Sequence, residues 1–267
     1  MKSVLVTGAY GGMGRAVCKS FLDRGFRVFA LDKMVDTQNP DNLIPIECDL
    51  TQKGAAPLAM ERVKCDCDSL YAIVHLAGIY MLDSLVEMPE DEIRKIFDVN
   101  FFGAYLVNKT FLPMLSKGSR ILTVTSELAP LAPLPFTGIY AISKATLDKY
   151  AYSLRMELQL LGISVSVLRA GAVNTGMLDA SIDALDRFCE KTELYEYNAA
   201  RFKKIVSSVE ARAVSAEKLA RKIISVTEKK RPKFSYTLNR NPLLLLLNAL
   251  PKRIQFFVIR HILNEKK

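Results

Sequence analysis

The sequence predicts an α/β fold: one doubly wound parallel sheet with helices on both faces, in a three-layer α/β/α arrangement. Two observations carry this prediction. Short apolar runs alternate with segments of helical periodicity along most of the chain, and the runs are apolar at nearly every position, as in parallel strands covered on both faces. The 267 residues, 50% of them apolar, suffice for one large core and exclude a disordered chain.

The elements follow one another in a regular order. Between the first two apolar runs, apolar residues recur at helical spacing from Met13 to Phe21, and Gly25 is placed to end that helix, which gives a first βαβ unit. Strands are predicted at 4–6, 28–31, 43–46, 72–74, 121–124 and 163–168. Further helices are predicted at about 91–115, 139–161 and 216–229.

The alternation stops in a polar, helix-prone stretch that contains several aromatic residues, at about 175–212. A long insertion after the carboxyl end of a strand is where such a fold carries a lid over its ligand site. We therefore predict a single catalytic domain over 1–230, with the substrate lid at about 175–212, followed by a basic, Leu-rich extension over 231–267.

The net charge of +9 lies entirely at the end of the chain. Residues 229–267 hold ten Lys or Arg and one Glu, whereas residues 1–228 hold 27 basic and 27 acidic residues. From Ile254, apolar residues recur along one side of a helix, which predicts a basic amphipathic extension. Such a helix fits two uses equally: contact with an anionic membrane surface, or packing as a lid or subunit interface. Nucleic acid is not an expected partner, because the cations are few and lie among Leu and Phe.

The cysteines and apolar runs indicate a compartment. Five cysteines do not indicate a disulfide framework in a chain of this length, and the first residues do not resemble a secretory signal. No apolar run reaches the roughly 18 residues that span a bilayer. We therefore expect a cytoplasmic protein that touches a membrane peripherally, if at all, through the extension. Cys65 and Cys67 lack the partners of a zinc site, so no metal is expected.

A glycine-rich loop, Thr-Gly-Ala-Tyr-Gly-Gly-Met-Gly at 7–14, stands between a predicted strand and a predicted helix. Glycines in this position let the backbone approach a pyrophosphate at the helix N-terminus, so the loop predicts a dinucleotide site. The glycines fit two spacings, with either Gly11 or Gly12 between Gly8 and Gly14. A glycine turn without a ligand is the simpler alternative for the loop taken alone.

Asp32 ends the second predicted strand, 18 residues after Gly14. A carboxylate here can accept hydrogen bonds from the adenosine ribose hydroxyls and would repel the 2′-phosphate of NADP, so the sequence favours NAD. NADP stays open because the adjacent cation of Lys33 can partly offset that repulsion. A solvated loop aspartate without a ligand is the alternative for Asp32 alone.

Three further residues suit acid/base chemistry. Tyr140 and Lys144 lie four residues apart, on one face of a predicted helix, and Ser126 follows a predicted strand. A free tyrosine is a poor base at neutral pH, but a neighbouring ammonium group stabilises the phenolate and lowers its pKa. A Tyr and Lys at this spacing are most often a surface pair, so the interpretation depends on the accompanying motifs.

Taken together, the motifs resemble the short-chain dehydrogenase/reductase family, in its single-domain form with a Rossmann fold, over about residues 1–230. The matching features occur in the family's order and approximate spacing: Thr7-Gly8-x-x-x-Gly12-x-Gly14, Asp49 after the third strand, Ala77-Gly78 after the fourth, Asn100, Ser126, and Tyr140-x-x-x-Lys144. The tail is more loosely similar to those of members that act on hydroxysteroids and retinoids.

The resemblance implies a catalytic role for four residues. Tyr140 would exchange a proton with the substrate oxygen, and Lys144 would lower the pKa of Tyr140 and bind the nicotinamide ribose. Ser126 would hold the substrate oxygen, and Asn100 would anchor a water in the proton relay. The cofactor would supply the hydride.

The resemblance also implies a cofactor site. Within it, Asp49 would contact adenine and Thr175 would hold the nicotinamide carboxamide. The cofactor-binding residues implied are Thr7, Gly8, Gly12, Met13, Gly14, Asp32, Asp49, Leu50, Ala77, Gly78, Tyr140, Lys144, Val173 and Thr175.

Two positions depart from the family pattern. His75 stands where the family usually has Asn, and a packed neutral histidine is favoured over a replacement for the amide. Ala170-Gly171 stands where the family usually has Pro-Gly, which changes the chain beneath the nicotinamide position but removes no catalytic group.

The leading interpretation is an NAD(H)-dependent oxidoreductase that interconverts a secondary alcohol and a ketone, with a lipophilic, steroid-like or retinoid-like substrate. A non-catalytic dinucleotide sensor or scaffold is the alternative from another class, and an epimerase or dehydratase with internal hydride return is a third. A homodimer or homotetramer is expected, because the helices at 91–115 and 139–161 resemble those that pair across a two-fold axis in the family.

Overall fold

The computed structural model describes residues 1–209 and 213–264. The end of the predicted lid, 210–212, and the end of the predicted extension, 265–267, therefore lie outside the described residues. The strands are β1 (Ser3–Thr7), β2 (Arg27–Asp32), β3 (Leu43–Glu47), β4 (Ala72–His75), β5 (Arg120–Ser126), β6 (Ser164–Ala170), β7 (Val173–Asn174), β8 (Val214–Ser215) and β9 (Ser235–Leu238).

The helices alternate with these strands. They are α1 (Gly12–Leu22), α2 (Ala55–Lys64), α3 (Glu90–Phe97), α4 (Gly103–Phe111), α5 (Gly138–Leu158), α6 (Gly176–Lys191), α7 (Glu196–Val209), α8 (Ala216–Thr227), α9 (Pro242–Ala249) and α10 (Lys252–Leu263). A π-helical turn, Asp98–Phe102, joins α3 to α4, and 3₁₀ turns lie at Leu112–Met114 and Gln159–Leu161.

The main sheet has seven parallel strands in the order β3-β2-β1-β4-β5-β6-β9. The strand order reverses at β1, which pairs with β2 on one side and with β4 on the other. In sheets of this kind a crevice opens beyond the carboxyl ends of the strands at that reversal. The predicted doubly wound α/β fold is confirmed. Residues 235–238, which the sequence sets apart in the extension, complete the sheet as β9.

Apolar cores lie on both faces of the sheet. On one face, Val6 packs in a cluster with Val17 of α1 and Ile223 of α8. On the other, Leu5 packs in a cluster with Phe111 of α4. Neighbouring residues of one strand thus point to opposite cores, which explains why the predicted strands are apolar at every position.

The predicted helix at 91–115 is interrupted. The π-helical turn Asp98–Phe102 separates α3 from α4, and it contains Asn100. Turns of this type widen the hydrogen-bonding pattern of a helix and occur often at functional sites. The backbone conformation therefore indicates Asn100 as a candidate functional residue, independently of the sequence motif.

The lid and the extension pack together. Helices α6 and α7 enclose a separate apolar cluster that includes Phe188 and Phe202, and α10 adds Leu263 to it. Phe136, from the loop before α5, packs on the same cluster, with its ring centroid 4.6 Å from that of Phe188. The extension contains two helices, α9 and α10, separated at Pro251, and α10 lies against the segment predicted as the lid.

Candidate active site

The glycine-rich loop forms a tight turn between β1 and α1. Gly8 has a φ of +66°, and a Cβ atom there would lie 2.6 Å from the main-chain nitrogen of Ala77. A Cβ atom at Gly14 would lie 2.1 Å from the carbonyl oxygen of Gly8. Helix α1 begins at Gly12 without a capping side chain or an acidic residue in its first turn. Its first N–H groups are therefore suited to the pyrophosphate of a dinucleotide.

Thr7 links this loop to the end of β4. Its hydroxyl oxygen accepts hydrogen bonds from the main-chain N–H groups of Leu76 and Ala77, each at 3.3 Å. These contacts span the point where the strand order reverses. The predicted cofactor residues Thr7, Gly8 and Ala77 thus lie together at the crevice.

Asp32 lies beside the loop at the end of β2. One carboxylate oxygen accepts a hydrogen bond from the N–H of Tyr10 at 2.9 Å, and the other accepts one from the N–H of Lys33 at 2.8 Å. The carboxylate is therefore held next to the turn that would receive the pyrophosphate. This is the placement that a contact with the adenosine ribose requires.

Most of the remaining predicted cofactor residues follow the carboxyl ends of β3 and β6. Thr175 stands against the loop, because a Cβ atom at Gly12 would lie 2.8 Å from its Cβ. Asp49 accepts hydrogen bonds from the N–H and hydroxyl of Thr51, which lowers the pKa of its carboxyl. Met13 and Leu50 pack at the edges of the two cores, and Val173 is buried in β7.

Ser126, Tyr140 and Lys144 come together at the carboxyl end of β5. Ser126 ends β5, and its side chain lies close enough to the hydroxyl of Tyr140, near the start of α5, to lower the pKa of that phenol. Lys144 follows one helical turn later, with Nζ 5.8 Å from the centroid of the Tyr140 ring. All three side chains are buried.

The pKa of Tyr140 differs from the prediction. Burial raises it to about 12, against the opposing effect of the nearby Ser126 side chain, and burial lowers the pKa of Lys144 to about 8. The sequence predicted that Lys144 would lower the pKa of Tyr140, whereas in the described residues the pKa of Tyr140 is raised. Desolvation disfavours the charged form of both groups, and it outweighs their attraction. At neutral pH Tyr140 is a phenol with a proton to donate, and Lys144 is mainly protonated.

Asn100 connects the π-helical turn to the site. Its Nδ2 donates to the carbonyl oxygen of Ile79 and to the hydroxyl of Ser143, each at 3.0 Å, and its Oδ1 accepts from the N–H of Ile79 at 2.8 Å. A Cβ atom at Gly78 would lie 3.0 Å from Nζ of Lys144 and 3.1 Å from Oδ1 of Asn100. Asn100 therefore lies next to the lysine, with both amide hydrogens already used.

Comparison with known proteins identifies the family. The sequence profile described as "short chain dehydrogenase" matches residues 2–186, more than half of the chain. The chain belongs to the short-chain dehydrogenase family. The family resemblance inferred from the motifs is thereby confirmed.

Individual relatives agree with this assignment. The short-chain dehydrogenase described here is 33% identical to estradiol 17-beta-dehydrogenase 2 of Mus musculus over 189 residues, which is 66% of this chain and about half, 49%, of the mouse protein. It resembles the 3-ketoacyl-(acyl-carrier-protein) reductase of Brucella melitensis, solved with NADH, with a TM-score of 0.73, 20% identity, and coverage of 89% and 96% of the two chains. It resembles a short chain dehydrogenase of Burkholderia cenocepacia J2315, solved with NADP, with a TM-score of 0.74, 20% identity, and coverage of 99% and 100%.

His75, which departs from the family pattern, is a packed histidine in this short-chain dehydrogenase. Its Nε2 lies 2.8 Å from Oδ1 of Asn108, and Nδ1 has no hydrogen-bond partner among the described residues. Burial lowers the pKa of the imidazole to about 4. The ring is therefore neutral at physiological pH and donates from Nε2 to the amide oxygen.

Several residues that the sequence did not single out also shape the site. The ring of Tyr80 lies 4.7 Å from that of Tyr140, centroid to centroid, and Ser143 fixes the amide of Asn100. Glu127, directly after Ser126, is buried and accepts a hydrogen bond from the N–H of Asn241. The sequence did offer a signal for Glu127, because it is an acidic residue at the end of an apolar strand, next to a candidate catalytic residue.

The loop after β4 holds the lid through charged groups. The buried carboxylate of Asp83 pairs with Nζ of Lys191 at 2.5 Å. Glu87 accepts hydrogen bonds from the hydroxyl of Thr192 and from the N–H groups of the next two residues, and these bonds lower the pKa of its carboxyl against the effect of burial. Asp83 thus binds the end of α6 and Glu87 binds the turn after it, so both carboxylates hold the segment predicted as the lid.

Proposed function

We propose that this short-chain dehydrogenase transfers a hydride between NAD(H) and a secondary alcohol or ketone. The observation that carries the proposal is the buried grouping of Ser126, Tyr140 and Lys144, with Nζ of Lys144 5.8 Å from the centroid of the Tyr140 ring. A protein that only binds dinucleotides has no chemical need for a buried hydroxyl pair beside a buried ammonium group. The arrangement therefore favours catalysis over a sensor or scaffold role.

The protonation states suit ketone reduction. The bound cofactor would supply a hydride to the carbonyl carbon, while the hydroxyl of Tyr140 donates its proton to the carbonyl oxygen and Ser126 donates a hydrogen bond to the same oxygen. One C–H bond and one O–H bond form, and the C=O double bond becomes single. The ammonium group of Lys144 stabilises the phenolate that remains until a proton returns from solvent. Alcohol oxidation is the same sequence reversed.

The role of Asn100 is a positioning role. Its amide ties the segment after β4 to α5 through Ile79 and Ser143. Because both amide hydrogens are used, the predicted relay water would bind to oxygen atoms near Asn100 rather than to its N–H groups. The water itself remains a prediction.

NAD is the proposed cofactor, on the placement of Asp32. Its carboxylate is fixed by two main-chain N–H groups next to the glycine loop, where it would repel a 2′-phosphate. The related structures include one with NADH and one with NADP, so the preference rests on this residue of this chain.

An apolar substrate fits the surroundings of Tyr140. The ring of Tyr80 packs beside it in a tilted arrangement, and the predicted lid contributes an aromatic cluster. Leu85 contacts the start of α5, because a Cβ atom at Gly138 would lie 3.0 Å from its Cδ1, and it is exposed together with Val86. A lipophilic, steroid-like or retinoid-like alcohol is therefore the substrate class that we propose.

Assembly as a homodimer or larger oligomer is proposed on the outer surfaces of α4 and α5. These surfaces expose large apolar side chains, as a subunit interface requires. They include Leu106, Ile142 and Met156, and the adjoining turns add Phe102 and Leu160.

A substrate panel tests the proposed activity. Steroid, retinoid and short-chain alcohols and ketones are incubated with NAD(H) and NADP(H), and nicotinamide absorbance is followed. Tyr140→Phe should lower turnover about 10² to 10⁴-fold with nearly unchanged cofactor affinity, because only the proton donor is lost. Tyr152→Phe, at an exposed position of the same helix, serves as the matched control. Turnover of Tyr140→Phe above about a tenth of the unmodified rate would contradict the proposal.

A further inference from the structure

The extension is held on the lid by one side of α10. Leu263 and Ile259 pack in the lid cluster, and the carbonyl oxygens of Leu263 and Ile262 accept hydrogen bonds from Asn198 and Arg201 of α7, each at 2.8 Å. Gln255, also on this side, is buried and donates to the carbonyl oxygen of Leu250 at 2.7 Å. These contacts determine which side of α10 is exposed.

The outer side is apolar and aromatic. On α10, Phe256 and Phe257 are 67% and 69% exposed, and on α9, Leu243 and Leu246 are 62% and 64% exposed. The surfaces of soluble proteins rarely expose four large apolar side chains on two adjacent helices. An apolar patch of this kind marks an interaction site. The ring of Phe257 stacks on His261, one turn away, with centroids 6.0 Å apart.

Cations lie among these apolar side chains. Residues 231–264 contain six Lys or Arg and no Asp or Glu. Arg253 and Arg260 lie at helical spacing from Phe257, on the exposed side of α10, and neither forms an ion pair with any residue that the structure describes. We call the exposed side chains of α9 and α10 the outer face. It combines apolar side chains with uncompensated positive charge.

We propose that the outer face docks on the surface of an anionic phospholipid bilayer. Its Leu and Phe side chains would enter the boundary between headgroups and acyl chains, and its Arg side chains would meet lipid phosphates. A second copy of the chain fits less well, because a two-fold contact through this face would place its three cations, Lys252, Arg253 and Arg260, against the same three without an acidic partner.

Docking would place the substrate site next to the bilayer. The inner side of α10 belongs to the cluster that Tyr80 contacts, and the ring of Tyr80 lies 4.7 Å from that of Tyr140. An apolar alcohol or ketone dissolved in the membrane would thus have a short path to the lid. This consequence rests on the proposed function, whereas the docking itself does not.

Within the described residues, 1–209 and 213–264, none of the helices has the length and hydropathy to cross a bilayer. The proposed contact is therefore tested as surface binding. The full chain is sedimented with vesicles of phosphatidylcholine alone and with vesicles that also contain phosphatidylserine. We expect binding to the anionic vesicles at low salt, and weakening as added salt shortens the Debye length to about 10 Å.

Two double variants separate the apolar and charged contributions. Phe256→Ser with Phe257→Ser should reduce binding to anionic vesicles at least about tenfold, and Arg253→Gln with Arg260→Gln should reduce it about tenfold to thirtyfold. The matched control for the first is Leu58→Ser, at a position on α2 that is 75% exposed. All these positions are exposed, so the variants should fold, and turnover of a water-soluble substrate without vesicles should be unchanged.

Three results would overturn the proposal: no binding by the full chain at low salt, binding that survives the phenylalanine double variant, or a loss of oligomer mass in that variant. The second would indicate simple attraction to polyanions, and the third a subunit interface. If the protein does not dock but turns over its substrate normally, the enzymatic proposal stands and the docking proposal fails. If the protein docks but turns over no alcohol or ketone, the docking proposal stands and the enzymatic proposal fails.

Discussion

The carboxylate of Glu127 accepts a hydrogen bond from the main-chain N–H of Asn241 at 2.6 Å. Glu127 follows Ser126 directly, and Asn241 is the N-cap residue of α9. The residue next to the candidate catalytic serine thus holds the start of α9. Asn248 adds a second attachment, because its Oδ1 accepts from the N–H of Ala132 in the loop between β5 and α5.

Replacing Glu127 should release α9. Glu127→Ala leaves the N–H of Asn241 without its partner, which should lower the free energy of unfolding by about 1–3 kcal/mol and speed proteolysis of the extension. Glu127→Gln keeps an acceptor oxygen and should preserve both. Burial raises the pKa of this carboxyl. The free energy of unfolding should therefore fall as pH rises through that pKa and the carboxyl ionises, whereas the uncharged Gln variant should not show this loss. Urea unfolding and limited proteolysis measure the effects, with the exposed Glu190→Ala as control. Equal stability of the Ala and Gln variants would contradict this role.

Because Lys144 is buried, we expect it to lower the free energy of unfolding while it supports turnover. Its pKa is lowered by burial to about 8, so below that pH the folded protein carries the full cost of the buried charge. As pH rises from about 8 toward the ordinary value, the unfolded chain binds more protons than the folded one, and stability should rise. Lys144→Met should therefore raise the free energy of unfolding at neutral pH, on the order of 2 kcal/mol, while abolishing most turnover.

Urea unfolding at about pH 7 and at about pH 10 tests this expectation, because the advantage of Lys144→Met should shrink at the higher pH. Lys149→Met provides a matched control, since Lys149 is an exposed lysine on the same helix. A Met variant that is less stable than the unmodified protein at neutral pH would show that contacts of the ammonium group outweigh its desolvation.

Local patterns were sufficient to predict the sheet and the glycine-rich loop. Apolar runs identified six strands, and the glycine spacing identified the start of α1, because both depend on neighbouring residues. The seventh strand, Ser235–Leu238, was missed: it is short, it alternates polar and apolar residues, and it pairs on one side only, with β6. Its place in the sheet is decided by partners far away in the chain.

The sequence could predict which strands and helices carry the candidate site residues, but not the electrostatics of those residues. Tyr140 and Lys144 could be placed on one helix face from their spacing, yet the direction of the pKa shift of Tyr140 depends on its burial by residues distant in the sequence, such as Met88 and Ile96. The contact between Glu127 and Asn241 joins residues 114 positions apart. The π-helical turn at Asn100 likewise depends on bonds to Ile79 and Ser143 that spacing does not reveal.

The exposed apolar surface of α4 and α5 predicts a dimer that one charge should break. Met156, 50% exposed on α5, would lie in the interface. Met156→Arg places an arginine there in each subunit, because a two-fold contact repeats every substitution, and burying it unpaired is costly. Light scattering should give an oligomer for the unmodified protein and monomer mass for the variant at micromolar concentration. Leu194→Arg, at a position 66% exposed on the lid, should leave the mass unchanged. Monomer mass for the unmodified protein would reject the dimer.

Asp32 predicts the cofactor preference. Because its carboxylate is fixed beside the glycine loop by the N–H groups of Tyr10 and Lys33, NAD(H) should bind at least several-fold more tightly than NADP(H), whose 2′-phosphate it repels. Asp32→Ala removes both the ribose acceptor and the repulsion, so the ratio of the two dissociation constants should fall by about fivefold to tenfold. Fluorescence titration with both reduced cofactors measures the ratio directly. Asp41→Ala removes an exposed carboxylate from the loop before β3 and should leave the ratio unchanged. Similar dissociation constants for the two cofactors in the unmodified protein would mean that the carboxylate does not select between them.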